Sequence, residues 1–364
     1  MKTKRGLRDV AQAAHVSLAT VSRVANDAST VDPKLQKRVK EAAKALGVDL
    51  VRRNKPKILV FVLSNRDLLH PFHSRALAGA QKHCAALGWD MLFLRFDYSP
   101  SVPWNELHLP LIMLRRDIVQ GAILSGTNSQ NLLLSLTRRN LPFAVLGSNV
   151  IGEWGPENYD VVWSDDIGGA YEITRYLQSI GHRDIWHIGN YQLPWFSRCC
   201  EGYRRAMAEA GLPSRVSMQH SQEPEEIGYL ATKSILARSE PVSAIFAGTD
   251  ATAWGVYKAA EDCGVRIPKD ISVVGLGDAV VAGLNPALTT GQEFPEQIGS
   301  NMAEVVLRRI AQPDLAPQHV TIYTKLVKRE SCRPIQSEPR TEKQQEAGVI
   351  QSAPDTQLDT KSAK

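Results

Sequence analysis

The chain has 364 residues, 43% of them apolar, and carries 43 Lys or Arg against 38 Asp or Glu for a formal net charge of +5. That size allows substantial cores and roughly two or three domains, and it excludes a disulfide-stapled miniprotein or a wholly disordered chain. No apolar run approaches membrane-spanning length, and Met1-Lys-Thr-Lys-Arg5 leads into an amphipathic pattern without the apolar core of a signal peptide, so a cytoplasmic protein with no membrane contact is expected.

The first elements are short. Val10, Ala13 and Ala14 share one helical face, and Val21 and Val24 share another, with only His15-Val16 between the patterns. So brief a turn makes the two helices cross steeply. Ser17 is placed to N-cap the second helix, whose free backbone amides suit a phosphate neighbour. Asp32 and Pro33 open a third helix as N-cap and first residue; Leu35, Val39, Ala42 or Ala43 and Leu46 supply its buried face, and Gly47 stops it. Three such helices around one core make a helix-turn-helix module, although an ordinary helical hairpin shares the pattern. Charge favours the module. Residues 1–57 hold 14 Lys or Arg against 5 Asp or Glu, a net of +9, and the rest of the chain sums to −4. A basic head on a slightly acidic body is the footprint of a head that meets a polyanionic backbone.

Beyond Lys57 the pattern becomes apolar strand, loop, amphipathic helix, repeated. Residues 58–63, 90–94, 121–124 and 143–146 read as short buried strands, with helical crossovers near 73–87, 105–116 and 131–139. Residues 185–188, 244–246 and 271–274 form a second strand set, with helices near 168–180, 201–210, 225–238 and 251–263. Two parallel-sheet lobes are implied, with a ligand cleft outside the carboxyl ends of their strands. Cys84, Cys199, Cys200, Cys263 and Cys332 are odd in number and lack metal-ligand spacing, which reads as free core thiols in a reducing compartment and as no metal site. The tail from 335 to 364 is polar, with one leucine, Leu358, and no heptads; it reads as disordered.

Several separated motifs then resemble one family. Asp9-Val-Ala-Gln-Ala-Ala14, Val16-Ser17, Thr20-Val-Ser-Arg-Val24, Asn26, Pro71-Phe72, Arg198 with Gly202-Tyr203, Ile267-Pro-Lys-Asp-Ile-Ser-Val-Val-Gly275 and Leu288-Thr-Thr290 occur in the order seen in the lactose and galactose repressor (LacI/GalR) family. The resemblance implies an N-terminal three-helix helix-turn-helix head joined to an α/β, two-lobed, periplasmic-binding-protein-like (type I) effector domain. The expected division is a DNA-binding domain at 1–47, a shortened linker at 48–57, a ligand-binding and dimerisation domain at 58–334, and the tail. The first lobe takes about 58–163 and 292–323, the second about 164–291 and 324–334. Expected partners are double-stranded DNA bearing a pseudo-palindromic operator, a second copy of the chain in a homodimer, and a small-molecule effector, a sugar or sugar derivative.

Residue roles follow from the same resemblance. Leu18, Ala19 and Arg23 fall at base-facing positions of the second helix, and Ser17, Thr20, Ser22 and Asn26 at phosphate-facing ones. Arginine is a forked donor that matches guanine O6 and N7, while Leu18 and Ala19 suit thymine methyl groups; packing within the head is the other reading of Leu18. The linker departs from the family. The Tyr-x-Pro-Asn start of the usual hinge helix is absent and the segment is several residues shorter, so Leu50 sits on at most one turn begun by Asp49, and Arg52, Arg53, Lys55 and Lys57 serve as phosphate contacts or a basic tether.

The resemblance assigns Arg198 as a ligand clamp, with a salt bridge as the alternative. Asp250, in Gly248-Thr249-Asp250, either binds ligand or N-caps the next helix. Glycine stands at 277 and at 147 where relatives commonly have aspartates, and Asp278 replaces the former only in part, which leaves open an unusual or anionic sugar, a non-sugar metabolite, or no ligand. Thr249, His70, Phe72, Ser125, Gln292 and Phe294 complete the expected cleft lining. Trp195 reads as a loop residue able to cover a ligand, with packing the safer reading, His187 as a satisfied core histidine, and Asp165-Asp166 as hinge or cleft residues. No nucleophile elbow, phosphate loop, zinc-protease helix or dinucleotide fingerprint occurs, so neither catalysis nor a cofactor is expected. The leading expectation is a ligand-responsive transcription regulator, a repressor. The competing one is a DNA-binding protein whose pocket has decayed and whose lobes serve only dimerisation; a solute receptor for transport is disfavoured by the basic head.

Overall fold

The computed structural model describes residues 6–25, 31–48, 50, 57–66, 70–221, 223–238, 240–277 and 283–335. Helices α1 (Leu7–Ala13), α2 (Leu18–Ala25) and α3 (Pro33–Leu46) form the amino-terminal head. Val10, Val21 and Val39 are fully buried at its centre, ringed by Ala11, Ala14, Val24, Val31 and Ala43. Helices this short have little stability alone, so the shared apolar stripe is what holds them. The caps match the sequence reading: the Thr20 amide donates to Ser17 Oγ at 3.1 Å and the Lys34 amide to Asp32 Oδ1 at 2.7 Å. Gly47 ends α3 at φ +66°. Arg38 reaches back to donate to the Ala14 carbonyl at 2.5 Å, fastening α3 to the α1–α2 turn.

The body begins with β1 (Ile58–Ser64), α4 (Pro71–Ala86), β2 (Asp90–Phe96), the single turn α5 (Leu111–Leu114), β3 (Val119–Gly126), β4 (Asn128–Ser129), α6 (Gln130–Arg138), β5 (Phe143–Leu146), β6 (Val150–Ile151) and β7 (Asp160–Ser164). It continues with α7 (Asp166–Ser179), β8 (Ile185–Gly189), α8 (Pro194–Glu209), β9 (Arg215–Met218), α9 (Pro224–Leu236), β10 (Ala244–Ala247), α10 (Asp250–Asp262) and β11 (Ser272–Gly277). Last come β12 (Thr289–Gln292), α11 (Pro295–Ala311), β13 (His319–Ile322) and β14 (Lys325–Val327).

The strands build two six-stranded sheets. The first has the order β13-β7-β5-β3-β1-β2 and is parallel throughout. The second, β14-β12-β11-β10-β8-β9, is parallel except where β14 runs against β12. The chain passes from one sheet to the other three times: between β7 and α7, between β12 and α11, and between β13 and β14. In each sheet the strand order reverses beside its first strand, at β1/β3 and at β8/β10. Loops leaving the carboxyl ends of such neighbours diverge to opposite faces and leave a crevice.

Helices cover both faces of each sheet, which explains the near-continuous apolar strand runs. Helices α4 and α11 approach so closely that only glycine fits at two positions: a Cβ on Gly299 of α11 would stand 1.8 Å from the Ala76 carbonyl oxygen of α4, and one on Gly79 of α4 would stand 2.0 Å from that of Glu296.

Several expectations need correction. The crossover expected as helix over 105–116 is helical only at Leu111–Leu114, because Pro110 fixes the chain immediately before it. Helix α8 begins at Pro194 rather than near 201, which puts Trp195 on a helix and not in a loop. Strands β7, β9, β12, β13 and β14 and the long helix α11 were not anticipated. Asp49, the expected start of a hinge turn, and the 336–364 tail lie outside the described residues.

Candidate nucleic-acid interface and interlobe cleft

The head presents one polar edge to solvent. On α2, Val21 and Val24 face inward, while Leu18, Ala19, Ser22 and Arg23 are exposed, Ser17 beside them is exposed, and Thr20 is half-buried. Leu18 is 44% exposed and lies outside the head core, which removes the packing alternative for it. Arg23 joins no ion pair among the described residues, so its guanidinium is available to a partner. Gly6, Leu7, Arg8 and Asp9 at the start of α1 border the same open depression as Leu18, Ala19 and Ser22. Ser17 Oγ is 2.9 Å from Thr20 Oγ1 and accepts the Thr20 amide, so its hydroxyl is held at the positive end of α2. Leu50 packs against the head core instead of projecting from a hinge turn. Asn26, Arg52 and Arg53 lie outside the described residues.

In the body, the strand ends at the two reversal points face a common cleft. From the first sheet come Ser64 and Arg66 after β1, His70 and His73 at the start of α4, Ser125 ending β3, Ser148 after β5 and Ser164 ending β7. The second contributes Asn190 after β8, Trp195 and Arg198 on α8, Thr249 and Asp250 after β10, Gly277 ending β11 and Glu293 after β12. Arg66 crosses between the lobes, its guanidinium carbon 4.4 Å from the centre of the Trp195 ring.

Arg198 makes the salt bridge that the sequence left as the alternative. Its Nε donates to Asp166 Oδ1 at 2.8 Å, and the guanidinium lies 4.9 Å from the centre of the Trp163 ring. That hydrogen bond uses Nε and leaves the terminal amino groups outside it. Burial pushes the Asp166 carboxyl up to about 7, although Arg198 pulls the other way. Glu293 is likewise raised to about 7, by burial and by the charges of Asp166 and Asp250, and it accepts the Ser164 hydroxyl at 2.6 Å. Ser164 also donates its backbone amide to Ser148 Oγ at 3.2 Å.

Of the two readings of Asp250, the structure removes the N-cap. Thr249 is the N-cap, its Oγ1 accepting the Thr252 amide at 3.1 Å, and Asp250 instead accepts the Thr290 hydroxyl at 2.6 Å on Oδ1. Of the two glycines that stand for the family's aspartates, Gly147 has no room for a side chain: a Cβ there would lie 2.5 Å from Val161 and 2.7 Å from the Trp163 ring. At Gly277, φ +138°, a Cβ would stand at ordinary contact distance from two acids, 3.6 Å from Asp250 Oδ2 and 3.9 Å from Glu293 Oε2.

The other expected lining residues divide. Ser125 is fully buried and hydrogen-bonded at 2.8 Å to Nδ1 of His73, not to His70. His70 is exposed at the mouth, 5.4 Å from the His73 ring. Phe72 and Phe294 pack against the apolar core of the first lobe. Gln292 ends β12, half-buried. Asp278 lies outside the described residues. His187 is the satisfied core histidine expected, bonded to Tyr191 at 2.9 Å and to Cys199 at 3.3 Å. Asp166, Glu293, Ser164 and Arg66 were not among the expected binding residues. Asp166 carried a signal as one of a pair of acids at a crossover; Glu293 followed an unread strand and carried none.

Comparisons with known proteins agree with this geometry. Residues 6–47 match the family described as bacterial regulatory proteins, lacI family, and residues 174–332 match the periplasmic binding protein-like domain. The chain is 28% identical to the HTH-type transcriptional repressor PurR of Erwinia tasmaniensis, over 89% of this chain and 96% of the relative. It is 27% identical to the HTH-type transcriptional regulator DegA of Bacillus subtilis, over 91% and 99%. Among solved structures, the transcriptional regulator CelR–cellobiose complex superposes with a TM-score of 0.66 at 27% identity, covering 90% of this chain and 100% of that one. The lac repressor dimer bound to operator and the anti-inducer ONPF superposes at 0.67 with 21% identity, covering 91% and 100%, a likeness of fold.

Proposed function

The chain belongs to the LacI/GalR family of bacterial transcription regulators, and we propose that it acts in the cytoplasm as a non-enzymatic repressor whose hold on an operator is set by a small molecule bound between its two lobes. The observation that carries this reading is the pairing of an exposed α2 edge on a basic head with a polar cleft at the reversal points of both sheets. In the proposed roles, Arg23 forks onto a guanine, Leu18 and Ala19 meet thymine methyls, and Ser17, Thr20, Ser22 and Asn26 fix the phosphates. Two heads held by a homodimer read the two halves of a pseudo-palindrome. Arg52 and Arg53 add backbone contacts. Leu50, half-buried against the head core, is given no DNA contact in this reading.

The proposed effector site comprises Arg198, Asp166, Asp250, Glu293, Ser125 and His70, with Thr249 and Gln292 at its edges. A ligand that fits one lobe arrangement better than the other shifts the spacing of the heads and hence operator affinity, by linkage. Selection of duplexes from a random library, followed by titration of the selected sequence with and without metabolites that raise the thermal midpoint, tests both halves. The reading expects a selected pseudo-palindrome and an affinity that changes with the stabilising metabolite. Stabilisation by no metabolite, with operator binding intact, would instead support lobes used only for dimerisation.

A further inference from the structure

We propose that the first turn of α8 is half of a reciprocal clasp, in which each lobe lays an arginine on the other's tryptophan, and that this clasp holds the lobes in the arrangement that receives the effector. The inference deepens the effector-binding reading above and rests on it for its regulatory meaning.

The two contacts mirror one another. Trp195, on α8 of the second lobe, lies under Arg66 of the first, with the guanidinium carbon 4.4 Å from the ring centre. Trp163, on β7 of the first lobe, lies under Arg198 of α8 at 4.9 Å. Trp195 and Arg198 stand at i and i+3 of one helix and so share a face. A single turn therefore presents both a ring and a cation to the facing lobe.

Each ring is mounted on its own lobe. Trp195 packs against the core of the second lobe and Trp163 against that of the first. Between the two clasp residues of α8, Phe196 is fully buried and fixes the turn in place: a Cβ on Gly189, ending β8, would stand 2.6 Å from its ring, and one on Gly248, after β10, 2.5 Å. Gly147 does the same for Trp163, and α8 lies against the turn Gly147–Asn149 that contains it. Asp166 Oδ1 takes the Arg198 Nε and so sets the direction of that guanidinium.

A guanidinium over an indole contributes more as water is excluded. Burial pulls Arg66 below its ordinary pKa, and the Arg198 side chain is 25% exposed. The three crossovers that join the sheets are short segments of the kind that absorb dihedral change in hinges, so two partly desolvated contacts are enough to bias the angle between the lobes. Stacking uses the face of a guanidinium and hydrogen bonding its edge. Arg198 can thus stay on Trp163 while its terminal amino groups meet an effector, and the clasped fraction sets the apparent effector affinity.

The test reads the distance between lobes with no small molecule added. Spin labels are placed on Ser74→Cys at the start of α4 and Glu225→Cys at the start of α9, in a chain carrying Cys263→Ser and Cys332→Ser, and labelled chain is mixed with excess unlabelled chain so that one subunit of each intact dimer reports. The parent is expected to show one dominant distance. Arg66→Gln and Trp163→Leu should each bring in the same second, longer distance, with the closed-to-open ratio falling about three- to thirtyfold. Arg66→Lys keeps a cation over the ring and should stay within about threefold of the parent; Trp195→Leu removes the same contact from the other side should Arg66→Gln fold poorly. A distribution unchanged in Trp163→Leu or in the variant that breaks the Arg66 contact, or Arg66→Lys opening the lobes as far as Arg66→Gln, overturns the clasp and leaves the effector-binding reading standing. Failure of every metabolite to stabilise the protein would sink that reading without altering these distances.

Discussion

The sharpest consequences lie with single side chains. Arg23 is exposed and outside any ion pair among the described residues, so Arg23→Ala should leave the thermal midpoint of the protein unchanged. It should weaken binding to the selected duplex by about 1–3 kcal/mol per half-site while barely changing affinity for random DNA, which fluorescence anisotropy against both duplexes reads directly. Equal losses on both would make it a phosphate contact. Asp166 and Glu293 give a pH dependence of definite sign. Both carboxyls hold a proton in the folded protein up to about pH 7, whereas unfolded carboxyls release theirs near pH 4. Between these limits the folded state binds protons that the unfolded state has lost, so stability falls as pH rises from about 4 to 7. The groups facing Glu293 are Ser164, Asp166, Asp250 and Arg75, and Glu293→Gln removes its share. Thermal midpoints of ligand-free protein from pH 5 to 8 should therefore fall less steeply in the variant than in the parent; parallel curves would contradict the assignment.

Among elements, the legible ones were those with a long periodic signal or a cap. The three head helices could be read from Val10, Val21, Val39 and the Ser17, Asp32 and Gly47 signals because each residue does one local job, and the buried strands because helices on both sides make them continuously apolar. Strands β12 and β14 escaped notice because they are three or four residues long, and β12 includes Gly291. Glu293 was invisible for the same reason, since its place in the cleft exists only once β12 is known to end at Gln292. Arg198 was found by resemblance, but its bond to Asp166 depends on how α7 meets α8, a tertiary fact with no local code. One element carries a direct test. Arg309 on α11 forks onto Asp160 of β7 at 2.8 and 2.9 Å, and Asp160 is 5% exposed. Asp160→Ala strands a partly buried guanidinium and loosens α11 from its sheet, at a cost of about 3–5 kcal/mol in chemical denaturation. A loss below about 1 kcal/mol would mean that the α4–α11 contact alone secures the helix.

At the scale of the whole molecule, the segregated charge and the two sheets divide the labour between grip and control. Counterion release makes the basic head's affinity fall steeply with salt for any duplex, whereas the α2 edge adds a term that depends on sequence. The account therefore stands on a comparison at one ionic strength. Intact dimer should be titrated at about 0.15 M salt against a selected pseudo-palindrome and a scrambled duplex of equal length. Affinities differing by about a thousandfold or more are predicted; equal affinities would contradict the claim that α2 reads bases.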